Sequence, residues 1–282
     1  MVRLAENTYG KCQVRVVRVK RDNPMHSFQE WSVEILLTGE FGECFTTGDN
    51  SRILATDTMK NTVYSLARDT KAESIEDFAF ELSDYLIRNN PQVREATISI
   101  VSVPWTHIHV DGTTFPSAFQ QTSGELQTTT VSYARGEEVA VTSGLKNLVV
   151  MKTANSGFEG FIRDSHTTLP ETADRLLGTA VRAQWKYSSS SLDFDRLRGF
   201  ARNTLLKTFA EHESRSVQHT LYAMGNALLE GAPEVEDIEI TMPNKHCLLV
   251  DLSRFGKTNP NEIFVPTDEP YGYIEARLCR GN

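Results

Sequence analysis

Residues 181–187, Val181-Arg182-Ala183-Gln184-Trp185-Lys186-Tyr187, and the segments that follow them carry the pattern that decides the fold. Val181, Ala183, Trp185 and Tyr187 alternate with Arg182, Gln184 and Lys186, so a strand here has one apolar and one polar face. Two helical stripes come next. Phe194, Leu197, Ala201, Leu205 and Phe209 form the first, and Val217, Leu221, Met224 and Leu228 the second, which ends at Gly231 with Pro233 beyond. Upstream, Leu148 to Met151 reads as an apolar strand. Downstream, strands run from Ile238 and Ile240 to Leu248, Val250 and Leu252.

The same order occurs in the first half. Residues 11–19 begin as alternation, with Cys12, Val14 and Val16 against Gln13 and Arg15, and change phase at Val17 and Val19, as a bulged strand does. Trp31, Val33, Ile35 and Leu37 form a second strand. Met59, Val63 and Leu66 fall at helical spacing. Ile75, Phe78, Ala79, Leu82 and Leu86 follow, opened by a capping-box-like Ser74 and Asp77, with Pro91 past the end. Alternation returns at Ala96, Ile98 and Ile100, and a polar strand-like stretch runs from about Phe119 to Tyr133. The expectation is therefore an α+β protein with two copies of one unit, residues 1–135 and 136–282, divided near Gly136. Each unit is expected to be an antiparallel four-stranded sheet with two helices on one face. The strand faces are too mixed in polarity to be dry, so subunits are expected to assemble around a wide barrel with polar residues inside.

Composition narrows the function classes. The chain has 282 residues, 39% hydrophobic and 23% charged, as one large or two medium globular domains have. No apolar run nears the roughly 20 residues a membrane helix needs, and Met1-Val2-Arg3-Leu4-Ala5-Glu6-Asn7 does not read as a secretory signal. A net charge of −8, with scattered Lys and Arg, lacks the footprint of a nucleic-acid binder. Cys12, Cys44, Cys247 and Cys279 form no Cys-x-x-Cys pair, which argues against a zinc ribbon or redox dithiol and suits a reducing compartment.

There is no phosphate loop, dinucleotide turn, His-Glu-x-x-His or nucleophile elbow. His107-Ile108-His109 places two imidazoles on one strand face, but without a third ligand nearby they read as strand histidines bonded to backbone or carboxylates. The informative phrases lie at the ends of periodic elements, where binding residues are usually placed. They are Tyr9-Gly10-Lys11, residues 55–62 (Ala-Thr-Asp-Thr-Met-Lys-Asn-Thr), residues 156–164 (Ser-Gly-Phe-Glu-Gly-Phe-Ile-Arg-Asp), Thr172-Ala173-Asp174-Arg175, Ser216-Val217-Gln218 and Met242-Pro243-Asn244-Lys245-His246.

In order and spacing, from Tyr9 to about Pro266, these phrases resemble the urate oxidase family. The resemblance implies two tunnelling-fold units per chain, a homotetramer with active sites at subunit interfaces, urate and O2 as substrates, and no cofactor. It implies that Arg175 and Gln218 grip the polar edge of urate, that Phe158 stacks on its flat face, and that Val217 offers its backbone beside Gln218. These residue types suit those tasks: a planar fork of donors, an amide with one donor and one acceptor side, and an aromatic ring. Without the resemblance, Arg175 reads as a surface ion-pair partner of Asp174 or a neighbour, and Phe158 as a core contact.

Lys11, Thr56 and His246 correspond to the family's proton relay, Thr56 reaching the substrate from a neighbouring subunit with Lys11 behind it; Asp57 is carried over as a further substrate contact and Asn244 as a holder of oxygen. Threonine alone is a poor base. A lysine withdrawn from water gives up its proton more readily and makes the pair competent. The simpler alternatives are an N-cap for Thr56, a solvated charge for Lys11 and a bonded core histidine for His246.

The chain departs from the family where Asp111-Gly112 leads to Thr113-Thr114-Phe115-Pro116-Ser117-Ala118-Phe119 without a histidine. Its tail, Arg280-Gly281-Asn282, is not a peroxisomal address, and a bacterial-type cytoplasmic location is expected. Two other readings use the same fold: a pterin-acting enzyme, which with metal chemistry would need a Cys or His cluster, and a non-catalytic purine binder, which would be expected to lack Lys11, Thr56 or His246.

Overall fold

The computed structural model describes residues 2–121, 123–267 and 269–281. It contains two compact units, Met1–Gly144 with Lys186–Arg198, and Leu145–Trp185 with Gly199–Asn282. Among the described residues no helix is long and apolar enough to cross a membrane.

The first unit begins with strands β1 (Tyr9–Lys20) and β2 (Ser27–Gly39), a short helix α1 (Gly42–Thr46), and helices α2 (Thr56–Asp69) and α3 (Ile75–Asn89). It continues through β3 (Val93–Val103), a separate hairpin of β4 (Trp105–Val110) and β5 (Thr113–Gln121), and β6 (Leu126–Ala134). β1, β2, β3 and β6 are neighbours in that order and pair antiparallel. Val33, Ile35, Ile98 and Ile100 are fully buried on the face that carries the helices, where the rings of Trp31 and Phe78 stack 4.9 Å apart. Ser74 caps α3 by accepting the Asp77 N–H, as its spacing predicts. The opposite sheet face carries paired hydroxyls, Thr97 with Ser132 and Ser99 with Thr130, each pair 3.1 Å apart. This two-faced sheet is what the alternation in β3 requires.

Two local expectations are corrected. The bulge in β1 lies between Lys11 and Val14, with Gln13 at a positive φ of 55°, rather than at Val17. Val14 and Val16 are buried while Val17 is 59% exposed, so the phase does not change there; a β-branched residue on a solvent face had imitated a core position. The polar run from Phe119 to Tyr133 is two strands: Phe119 pairs with His107 in the hairpin, and β6 pairs with β3. A turn in which Ser123 Oγ accepts the Glu125 N–H separates them, and Thr122 lies outside the described residues. The hairpin turns on Asp111 and Gly112, both at positive φ.

Strand β7 (Ala140–Lys152) carries the chain into the second unit, which holds β8 (Leu177–Tyr187), most of α4 (Phe194–Glu211), α5 (Val217–Gly231), β9 (Val235–Thr241), β10 (Asn244–Leu249), β11 (Phe264–Thr267) and β12 (Glu275–Cys279). β7, β8, β9 and β12 are successive neighbours, and the β10–β11 hairpin attaches at the start of β8. The predicted stripes of α4 and α5 are buried. α5 packs on β12 so closely that a Cβ at Gly225 would stand 3.0 Å from Leu278 Cδ2. Of the run from Leu148 to Met151, Leu148 is buried while Val149 and Met151 are exposed. Val250 and Leu252 lie beyond β10, in the loop leading to a 3-10 turn at Ser253–Phe255. β12 carries no strong periodic signal, because Ala276 and Leu278 are its only apolar positions apart from Cys279.

One buried ion pair completes the first unit. Arg198 Nη2 meets Glu76 at the start of α3, Ser143 Oγ donates to the other Glu76 oxygen, and Arg198 Nη1 lies 2.7 Å from Asp195. The Arg198 and Glu76 side chains are 6% and 0% exposed. Burial works against the guanidinium charge, but Glu76 and then Asp195 outweigh it, and the Arg198 pKa is raised.

Candidate active site

The sequence-predicted residues fall into two clusters, one in each unit. In the first, the β1 bulge determines where Lys11 points. Lys11 pairs with Ile35 and Val14 with Val33, both inward residues of β2, so the extra residue puts Lys11 on the same face as Val14. In a regular strand residues 11 and 14 would face opposite sides. Lys11 is half-buried on the face that carries α2, and its charge contributes to lowering the Asp57 pKa.

Thr56 is the first residue of α2. Ala55 is the N-cap and makes no side-chain cap bond, so the capping role considered for Thr56 is not used, and Thr56 is exposed. Asp57 follows in the first turn, where its charge complements the helix dipole. Its carboxylate accepts from Lys60, and from Asn61 Nδ2 at 3.0 Å; the Lys60 bond is the foremost cause of its lowered pKa.

Tyr9 ties the start of β1 to the approach to α2. Its hydroxyl accepts the Leu54 N–H at 2.9 Å and donates to the Leu54 carbonyl at 3.2 Å, while its ring meets Phe41 edge-on. Burial is the main cause of its raised pKa. Gly10 allows the close pairing beside it, since a Cβ there would lie 1.8 Å from the Ile35 carbonyl oxygen. Tyr9→Phe orphans two backbone groups in a partly buried place. The expected outcome is a loss of about 1 kcal/mol of stability, read from a denaturant midpoint.

The second cluster is built by backbone cross-links. Phe158 N–H donates to Thr172 O at 2.7 Å and Thr172 N–H to Phe158 O at 3.2 Å, and Arg175 N–H donates to Ser156 O at 2.7 Å. Asp174 Oδ1 accepts the Ser156 N–H at 3.0 Å, so Asp174 holds the Phe158 segment. The Arg175 guanidinium lies 4.9 Å from the centroid of the Phe158 ring. Arg175 Nε is buried with no hydrogen-bond partner among the described residues, and burial lowers the Arg175 pKa. Phe158 is half-buried and stacks on Phe161 at 4.9 Å.

β10 brings the last two residues to Arg175. Asn244 and Lys245 pair with Thr179 and Gly178 of β8, which starts two residues after Arg175. As alternate residues of one strand, Asn244 and His246 face the same way, with Asn244 Nδ2 3.5 Å from His246 Nδ1. Arg175, Asn244 and His246 line one cavity of about 460 Å³, with Thr172, Asp174 and Leu176. Val217 and Gln218 open α5; Val217 is buried and Gln218 exposed. Gly157 N–H donates to Ser214 O at 2.8 Å, joining the Phe158 segment to the chain entering α5.

A family model described as Uricase matches residues 7–132 and 141–275. This chain belongs to the uricase family. It is 41% identical to the uricase of Arthrobacter globiformis over 277 residues, covering 98% of this chain and 90% of that one. Its identity to the uricase of Dictyostelium discoideum is 36%, covering 100% and 99%. The crystal structure of the Arthrobacter globiformis uricase superposes with a TM-score of 0.94 at 40% identity, over 99% of this chain and 96% of that one. A Bacillus sp. TB-90 urate oxidase, at 23% identity and a TM-score of 0.83 over 97% of this chain and 100% of that one, shares the fold. The uricase tunnelling fold is thus the fold of this chain.

The two strand histidines stand outside both clusters: His107 Nε2 bonds the His26 carbonyl at 3.0 Å and His109 Nδ1 bonds Thr114 at 2.9 Å. Among the described residues no three His, Cys, Asp or Glu side chains gather as a metal site. Ser156, Lys60 and Asn61 lay within the quoted phrases but carried no individual signal, because their work is hydrogen bonding that only the folded chain brings about.

Proposed function

We propose that this chain is a urate oxidase, converting urate, O2 and water to 5-hydroxyisourate and hydrogen peroxide. The observation that carries it is the convergence of Arg175, Asn244 and His246 on one cavity, with the Arg175 guanidinium over the Phe158 ring. A flat, anionic purine meets these groups well. The guanidinium fork takes its carbonyl and deprotonated nitrogen, Gln218 the adjoining edge with the Val217 backbone, and Phe158 a ring face.

The Lys11 and Thr56 cluster supplies the base in this proposal, reaching the substrate from a second copy in a homotetramer. Exposed Leu248, Leu249, Ile263 and Val265 on and beside β10 and β11 support a covered surface there. Thr56 passes its hydroxyl proton toward Lys11 as it takes one from urate, with His246 beside the path, and Asp57 adds a contact. The electron-rich urate dianion then gives two electrons to O2, held by Asn244 and Thr56 above the ring. Oxygen takes two protons and leaves as hydrogen peroxide, and water adds to the oxidised ring at the carbon that becomes hydroxylated. Orientation and exclusion of competing water are the remaining tasks, and the reading calls for no cofactor.

The test is urate absorbance near its ultraviolet maximum in metal-chelated buffer, with peroxide followed in parallel. Equal loss of urate and gain of peroxide is expected. Persistence of urate, even with protection of the protein against thermal unfolding, would overturn the reading in favour of a binder.

A further inference from the structure

His212 follows the last turn of α4 and His219 lies in the first turn of α5. His212 Nε2 is 3.1 Å from His219 Nδ1, and the ring centroids are 4.3 Å apart with the planes at 63°. Two imidazoles at this distance share one N–H between two nitrogens. One added proton can sit on an outer nitrogen and leave the shared N–H in place; once both rings are protonated, N–H faces N–H and two cations meet.

The pair sits where the second cluster is joined. Ser214 N–H donates to Asn155 O at 2.9 Å and Gly157 N–H to Ser214 O at 2.8 Å, tying this loop to the Phe158 segment. Ser214 Oγ donates to Ser216 O at 3.0 Å, and Ser216 Oγ accepts the His219 N–H at 3.1 Å, capping the helix that opens with Val217 and Gln218. Lys152, 9% exposed, donates its ammonium to the His212 carbonyl from β7. The charged groups acting on His212 are Lys152 from β7 and Glu213 in the connecting loop, and the Arg215 backbone N–H lies 3.4 Å from His219 Nδ1. Burial, then His219, then Lys152 hold the His212 pKa below its usual value, against Glu213.

We propose that His212 and His219 are a pair of positioning residues that, with one proton shared between them, fix the start of α5 and so the place of Gln218, and that acid opens this joint. The proposal rests on the assignment of Gln218 to the substrate edge. Because the folded chain disfavours the protonated His212, the stability due to the pair is fully present above the ordinary histidine value of 6.5 and is lost as pH falls through the lowered folded value.

The test compares wild type with His219→Gln, which keeps a donor and an acceptor but does not titrate, from about pH 5 to pH 8. For wild type the KM for urate is expected to rise about tenfold toward acid while kcat changes less; in His219→Gln the KM is expected to be nearly flat. A second readout needs no turnover: nitrogen-15 imidazole resonances followed against pH in the unliganded protein. Coupled titration of the two rings, with His212 shifted toward acid, supports the proposal. Independent titration at ordinary values, or the same acid rise of KM in His219→Gln, overturns it. Coupled titration in a protein that consumes no urate would overturn the urate assignment and leave the joint standing.

Discussion

Replacing Lys11 with methionine is expected to lower kcat for urate by roughly 10²- to 10⁴-fold, the range in which a positioned general base contributes. The KM should change little, because the groups assigned to the purine edge are Arg175 and Gln218 in the other unit. Stability should stay within about 0.5 kcal/mol, since Lys11 is a half-buried residue at the start of an edge strand and methionine retains the stem of the side chain. Thr56→Ala should cause a loss of similar size. If the two act as one relay, the double variant falls no further than either single one. Steady-state kinetics of the three variants, with thermal melts alongside, make the check. Nearly full turnover in Lys11→Met would remove lysine from the relay.

Glu76→Ala is expected to destabilise the first unit by about 3–5 kcal/mol, because it leaves the Arg198 guanidinium buried with only the half-exposed Asp195 as a charged partner. It also orphans Ser143 Oγ. The measurement is the shift of the denaturant midpoint at constant slope. Removing both charges, as Glu76→Met with Arg198→Met, should recover much of the loss, because the double variant contains no unpaired buried charge. A midpoint unchanged in Glu76→Ala would mean that water reaches Arg198 and that the pair is not dry.

Much of the fold was legible wherever one face of an element is buried. Ile75, Phe78, Ala79, Leu82 and Leu86 recur at helical spacing and are all buried; Val33, Ile35 and Leu37 alternate and are all fully buried. Single-sided burial selects residues by period, and the period survives in the sequence. It failed where burial and period part. Val17 is apolar and exposed at an edge strand, and β12 is a strand whose main anchor is one leucine beneath a glycine of α5. The site was legible as phrases at element ends, since their irregularity serves neither a helix nor a strand. It was not legible as an arrangement.

By itself the sequence determined the long helices, most of the long strands and their apolar faces, the Ser74 cap and the short polar phrases. All of these depend on neighbours within a turn or a pleat. Only the tertiary structure decided that the bulge at residues 12 and 13 turns Lys11 to the side carrying α2, and that Glu76 meets Arg198 across 122 residues of chain. It alone decided that Arg175, Asn244 and His246 share a cavity and that His212 meets His219. Those outcomes depend on register and on long-range packing, in which a shift of one residue reverses the face of every side chain that follows, and no local pattern records them.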